Sequence, residues 1–135
     1  MPLEIKQFFE TYRRAFNALD GQAVARLYSE PSAIAQGGEL TVWPNQVAVA
    51  KNMETLCRMY KERGYVEAEF EPVQFLAQGT EYAFADLRWS IKWANGADPW
   101  VFNTSYNLVR RLDGWRVVLC TAYTEERLFH AQSAA

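Results

Sequence analysis

The sequence predicts an α+β domain in which three helices pack against a cone-shaped, curved antiparallel sheet. Two observations carry that prediction. Apolar residues recur with a helical period as far as Gly64, and with a period of two from Tyr65 onward. Three turn signals, Gln78-Gly79-Thr80, Asn95-Gly96 and Asp113-Gly114, cut the second part into hairpins.

The first helix is read from Ile5, Phe8, Phe9, Tyr12, Phe16 and Leu19, which fall at i, i+3, i+4, i+7, i+11 and i+14. Asp20-Gly21 breaks it, and Asp20 can cap a short second helix running through Tyr28. Pro31 ends that helix, because the residue before a proline is pushed away from helical geometry. A strand is expected near Ala33–Gln36, then a Gly37-Gly38 turn and a return strand over Leu40–Trp43. Asn45 can cap a third helix with Val49, Met53, Leu56 and Tyr60 inward, closed by Gly64 in a left-handed conformation. Four strands are expected at about 65–77, 81–94, 99–111 and 115–124. No linker or repeat divides the chain, so residues 1–130 read as one domain and 131–135 as a disordered tail.

Closing each hairpin tightly on its turn gives expected registers. The first sets Glu71 opposite Arg88 and Glu67 opposite Lys92. The second sets Trp93 beside Trp100, Ile91 beside Phe102, Trp89 beside Thr104 and Leu87 beside Tyr106. The third sets Leu108 beside Leu119, Tyr106 beside Thr121 and Thr104 beside Tyr123. Rings and aliphatics then share one face, while Asn103, Ser105, Asn107 and the charged residues share the other. A slip of one residue in any strand would exchange the faces. Read against Arg88 and Lys92, the acids Glu67, Glu69 and Glu71 are a solvated or subunit-facing ladder. A homodimer through this outer face is the expected assembly.

Composition narrows the function classes. A net charge of −2 and a pI near 5.5 supply no excess of cations for nucleic acid or an anionic membrane. No apolar run approaches the roughly 20 residues that span a bilayer. The opening MPLEIKQFFE is amphipathic and acidic rather than signal-like, which points to the cytoplasm. Cys57 and Cys120 match no zinc spacing and read as small buried hydrophobes. His130 is the only histidine, so no metal site and no histidine-based dyad is expected, and no cofactor.

The aromatic face of the sheet must be covered by the helices, and a wedge between them can become a pocket. Tyr12 and Phe16 of the first helix, Gln36 and Trp43 of the short strands, and Met53 and Tyr60 of the third helix are expected around it. Leu87, Trp89, Tyr106, Thr121 and Tyr123 are expected as its floor. Polar tips among large rings suit a site for a hydrophobic small molecule. A filled aromatic core is the alternative, because buried tyrosine hydroxyls need partners there too.

The element order, the opening FFETYRRAFNALDGQAVARLYSE and the closing YNLVRRLDGWRVVLCTAY resemble the nuclear transport factor 2-like, or cystatin-like, superfamily. That superfamily includes ketosteroid isomerases and SnoaL-like polyketide cyclases. The resemblance to the isomerases implies an oxyanion-binding tyrosine at Tyr12, the base position at Gln36 and the acid position at Tyr106. An amide has no useful proton affinity near neutral pH, so Gln36 can orient but cannot abstract a proton. Tyr106 can still donate a hydrogen bond. SnoaL-like cyclases use a pocket acid, and here the only in-sheet aspartate, Asp86, is expected to face away. Glu39 and Glu54 could approach from the hairpin or the third helix.

Three functions remain open at this point. One is an isomerase, cyclase or dehydratase acting on a hydrophobic, oxygenated compound, with Tyr12 and Tyr106 as donors. The second is a non-catalytic binding module using the same pocket. The third is an interaction domain working through the sheet face.

Overall fold

A computed structural model of the protein describes residues 1–124. His130 and the expected tail at 131–135 lie outside the described residues. The elements run α1 (Leu3–Asn17), α2 (Gly21–Ala25), β1 (Tyr28–Gln36), β2 (Glu39–Trp43), α3 (Gln46–Glu62), β3 (Tyr65–Gln78), β4 (Tyr82–Trp93), β5 (Trp100–Arg111) and β6 (Gly114–Tyr123). The fold is α+β, with one curved six-stranded sheet in the order β2-β1-β6-β5-β4-β3. Every neighbouring pair is antiparallel except β1 and β6, which run parallel. Among the described residues no helix is long and apolar enough to cross a membrane.

The helix boundaries follow the local chemistry. Ile5, Phe8, Phe9 and Tyr12 form the buried stripe of α1. The Asp20 side chain accepts from the Ala23 N–H at 3.0 Å and opens α2, and Asn45 does the same for α3 through Ala48 at 3.0 Å. Gly64, at φ 83°, ends α3 in the left-handed region that favours glycine. The expected second helix is shorter than its sequence pattern. It stops at Ala25, because the Leu27 carbonyl accepts instead from the Val117 N–H of β6 at 2.8 Å. Tyr28 therefore opens β1, and that strand runs through a cis Glu30–Pro31 bond.

Asn17 fastens the end of α1 to β3. Its Oδ1 accepts from the Ala68 N–H at 2.8 Å and from the Tyr65 hydroxyl, and its Nδ2 donates to the Ala68 carbonyl at 3.3 Å. Phe9 is fully buried and sits 4.9 Å from the Tyr106 ring and 6.1 Å from Phe70. Leu87 and Leu108 are buried in the same core. Burial of each such side chain contributes about 1.5–3 kcal/mol relative to exposure.

The strand registers decide which residues meet. Glu67 pairs with Lys92 and Glu71 with Arg88, as the charge pattern predicts. The side chains follow, with Arg88 to Glu71 at 2.8 Å and Lys92 to Glu67 at 3.2 Å. These pairs face solvent, so each is worth at most about 1 kcal/mol. Between β4 and β5 the register is displaced by two residues, giving Trp89 opposite Phe102 and Ala85 opposite Tyr106. A shift of two preserves the faces, so the inward residues stay inward.

Between β5 and β6 the displacement has the opposite consequence. Leu108 pairs with Val117 but Asn107 pairs with Leu119, leaving Val118 as a bulge. Beyond it the strand changes face. Cys120 now lies opposite Tyr106 and turns into the core, while Thr121 meets Ser105 and Tyr123 meets Asn103 on the polar side. The expected placement of Thr121 and Tyr123 beneath the helices is thus reversed.

Candidate functional site

The polar atoms of the core gather where α1 crosses β1, β4, β5 and β6. Tyr12 comes from the inward stripe of α1, and Tyr28 from the first residue of β1. Their hydroxyls lie 2.7 Å apart. The Tyr28 hydroxyl also donates to the Cys120 Sγ at 3.5 Å. Beside them the Trp89 indole N–H donates to the Tyr106 hydroxyl at 3.0 Å. The Tyr12 ring stands edge-on to Tyr106 at 5.5 Å and 6.0 Å from Trp89.

Burial governs the ionisation of this group. Desolvation holds the Tyr12, Tyr28 and Tyr106 hydroxyls well above the ordinary phenol range, and neighbouring phenol and thiol groups add to it. Desolvation also pushes the Cys120 thiol up to about 11. All four are therefore neutral near pH 7 and serve as hydrogen-bonding groups, not as bases. Among the described residues Asp86 is the only buried carboxylate. It lies on the opposite face of the sheet, where it accepts from the Tyr123 hydroxyl. The cluster can polarise an oxygen atom, and it contains no carboxylate to take a proton from carbon.

The structure brings most of the residues singled out from the sequence into this wedge. Tyr12, Trp43, Met53, Tyr60, Leu87, Trp89 and Tyr106 are all buried in it, and Phe16 is half-buried against Tyr12 at 5.4 Å. Trp43 stands edge-on to Tyr28 at 5.7 Å. Gln36 is not brought in, because it is exposed at the far end of β1. Thr121 and Tyr123 are on the outer face, as the Val118 bulge requires. Glu39 and Glu54 are exposed as well. Tyr28 and Cys120 complete the cluster and escaped the sequence reading. Tyr28 sits on what looks like the tail of a helix, and Cys120 is turned inward only by the bulge.

The rings themselves fill much of the wedge. At the β4–β5 end of the sheet lies an open cleft of about 600 Å³, lined by Glu62, Arg63, Trp93, Asn95, Ala97 and Trp100. Trp100 is 43% exposed and packs 4.6 Å from Phe102. Trp93 contacts Tyr60 at 6.2 Å, and Tyr60 contacts Phe16 at 6.4 Å. A continuous path of rings therefore runs from this cleft to Tyr12.

A model of the family described as NTF2-like protein (DUF6841) matches residues 3–125. No curated protein matches the chain. An NTF2-like protein with a cystatin-like fold from Novosphingobium aromaticivorans superimposes with a TM-score of 0.75 at 18% identity, covering 96% of this chain and 85% of that one. An NTF-2-like protein of unknown function from Shewanella oneidensis gives 0.72 at 18% identity, with 88% and 95% covered. A ketosteroid isomerase-like protein from Erwinia carotovora atroseptica gives 0.67 at 15% identity, with 92% and 95% covered. Likeness at such identities concerns the fold.

Proposed function

The chain belongs to the NTF2-like family DUF6841, and on that premise we propose that it binds a hydrophobic, oxygen-bearing small molecule between α1, α3 and the sheet. The supporting observation is the convergence of Tyr12, Tyr28, Tyr106 and Trp89 polar atoms at the inner end of an aromatic wedge. In this reading the ligand enters from the Trp93–Trp100 cleft, displaces the rings of Tyr60 and Phe16, and places an oxygen against the Tyr12 and Tyr106 hydroxyls. The absence of a carboxylate among the described wedge residues favours binding without proton abstraction. An isomerase-, cyclase- or dehydratase-like reaction is the catalytic form of the same reading. Its setting is the cytoplasm.

A thermal-shift screen with steroids, aromatic polyketides and aromatic acids tests it. A ligand present at about 100 times its Kd stabilises the folded state by about 2.7 kcal/mol. The Tyr12→Phe/Tyr106→Phe double variant is expected to bind such a ligand about tenfold more weakly, since each lost hydrogen bond is worth about 0.5–1.5 kcal/mol. Its own baseline falls too, because the Trp89 N–H loses its acceptor. The shift is therefore measured from that baseline. No stabilisation of the wild type by any compound, or an equal shift in the double variant, removes the reading.

A second reading is a homodimer through the outer sheet face. Asn103 is 0% exposed there, and neither its Oδ1 nor its Nδ2 has a hydrogen-bond partner. The nearby Asp86 Oδ1 is likewise unpartnered. A buried amide without partners costs about 1–3 kcal/mol, and the half-buried Ser105 and Asn107 on the same face give a second copy polar groups it can reach. Sedimentation equilibrium is expected to show a dimer at micromolar concentration, with Ser105→Arg/Asn107→Arg weakening it by about tenfold or more. A monomer mass for the wild type, or a dimer of unchanged affinity in the double variant, rejects the reading.

A further inference from the structure

We propose that a second cleft, at the β5–β6 end of the sheet, is a binding site for a small multivalent oxyanion, a molecule carrying a phosphate or several carboxylates. It has a volume of about 590 Å³ and shares no lining residue with the Trp93–Trp100 cleft. Three separate segments build it. The Val117 N–H to Leu27 carbonyl bond of 2.8 Å holds the α2–β1 junction against β6. The Gln46 Nε2 donates to the Tyr28 carbonyl at 2.8 Å and ties on the first turn of α3. Arg26, Arg111 and Arg116 are thereby brought to one cavity from the end of α2, the end of β5 and the start of β6.

The charges are unequally committed. The cleft is lined by three guanidiniums and two carboxylates, in a chain whose net charge is −2. Glu30 is held by the Gln46 backbone N–H at 2.8 Å, at the positive end of α3. Asp113 is held by Arg116 at 2.9 Å, and the other Arg116 nitrogen donates to the Trp115 carbonyl at 2.6 Å. Arg26 and Arg111 form no ion pair among the described residues, and both are exposed. Two uncommitted guanidinium forks match the paired oxygens of a phosphate or carboxylate. Like the first cleft it is open to solvent, with room for more than one inorganic ion. Arg116, fixed by its two bonds, is part of the same lining.

Isothermal titration of the full chain with pyrophosphate and with citrate, at low salt, tests the proposal. Binding is expected for at least one of them and weakens as salt rises. Pyrophosphate alone assigns a phosphate ligand, and citrate alone a polycarboxylate. Arg26→Ala/Arg111→Ala is expected to weaken binding by about tenfold or more, with the thermal transition retained because both side chains are exposed. Arg14→Ala/Arg58→Ala removes the same charge from helix surfaces outside the cleft and is expected to change affinity by no more than about twofold. Equal losses in the two double variants would mean non-specific attraction and overturn the site. So would the absence of heat with either probe in the wild type.

Discussion

Replacing Gly21 by alanine is expected to lower the unfolding free energy by about 2–3 kcal/mol. The sign is unusual for a helix residue. In a solvated helix interior the same change stabilises by about 1 kcal/mol, because alanine is the better helix former. Gly21 opens α2 and is buried against α3. A Cβ there would come to 2.6 Å from the Glu54 backbone nitrogen and 2.8 Å from its Cα. Those are main-chain atoms in the middle of a 17-residue helix and cannot rotate aside. Either α2 lifts from α3 or α3 bends, and both disturb the packing of Val24 and Val49. Urea unfolding followed by circular dichroism measures the loss. The double variant Gly21→Ala/Glu54→Ala separates the causes. It relieves the 2.9 Å contact with the Glu54 Cγ but leaves the backbone contacts, so most of the penalty persists. A Gly21→Ala protein as stable as the wild type would mean that α2 and α3 do not approach this closely.

The second large effect is alkaline unfolding in one cooperative step. The ordinary values are 9.0 for the Cys120 thiol and 10.0 for the Tyr12, Tyr28, Tyr60 and Tyr106 phenols. In the folded chain desolvation raises all of them, Cys120 to about 11 and Tyr60 to about 12. A raised value means that the native state holds its proton more tightly than the unfolded state. The stability linked to each group is thus complete below its ordinary value and is lost as pH climbs toward the folded one. Each group removes about 1.4 kcal/mol per pH unit across that window. Several buried groups titrating together exhaust the 5–15 kcal/mol typical of a domain within about one or two units above pH 10. Tyrosinate absorbance and the far-ultraviolet dichroism are expected to change together. Gradual tyrosinate formation with the dichroism intact would mean that the hydroxyls are open to water.

Much of the fold was legible because its signals are local. The caps at Asp20 and Asn45, the left-handed Gly64 and the glycine turns all act within a few residues. The β3–β4 register was legible from charge, since Glu67 and Glu71 require Lys92 and Arg88. The β4–β5 register was misplaced by two, because the loop between Trp93 and Trp100 is longer than a tight turn. Parity survived, and so Leu87 and Trp89 were still assigned to the core.

The Val118 bulge left no such trace. Its residue type is an ordinary strand former, and only the pairing partner reveals that it is extra. Simple alternation therefore puts Thr121 and Tyr123 inward and Cys120 outward, and the bulge reverses all three. Gln36 was placed by sequence alignment, and its exposure follows from the strand ending at the edge of the core. The tyrosine cluster could be only half seen, because Tyr28 is drawn into β1 by a partner almost 90 residues away in the sequence.

That distant partnership also constrains how the chain can be made. Synthesis delivers α1, α2, β1 and β2 first, yet β1 rests against β6, the last described strand to leave the ribosome. The N-terminal third must wait, its aromatic stripe unsheltered, while the β3–β4–β5 meander is already free to form from neighbouring segments. Loop-closure entropy penalises the β1–β6 union most heavily, so that pairing is expected to form after the local hairpins.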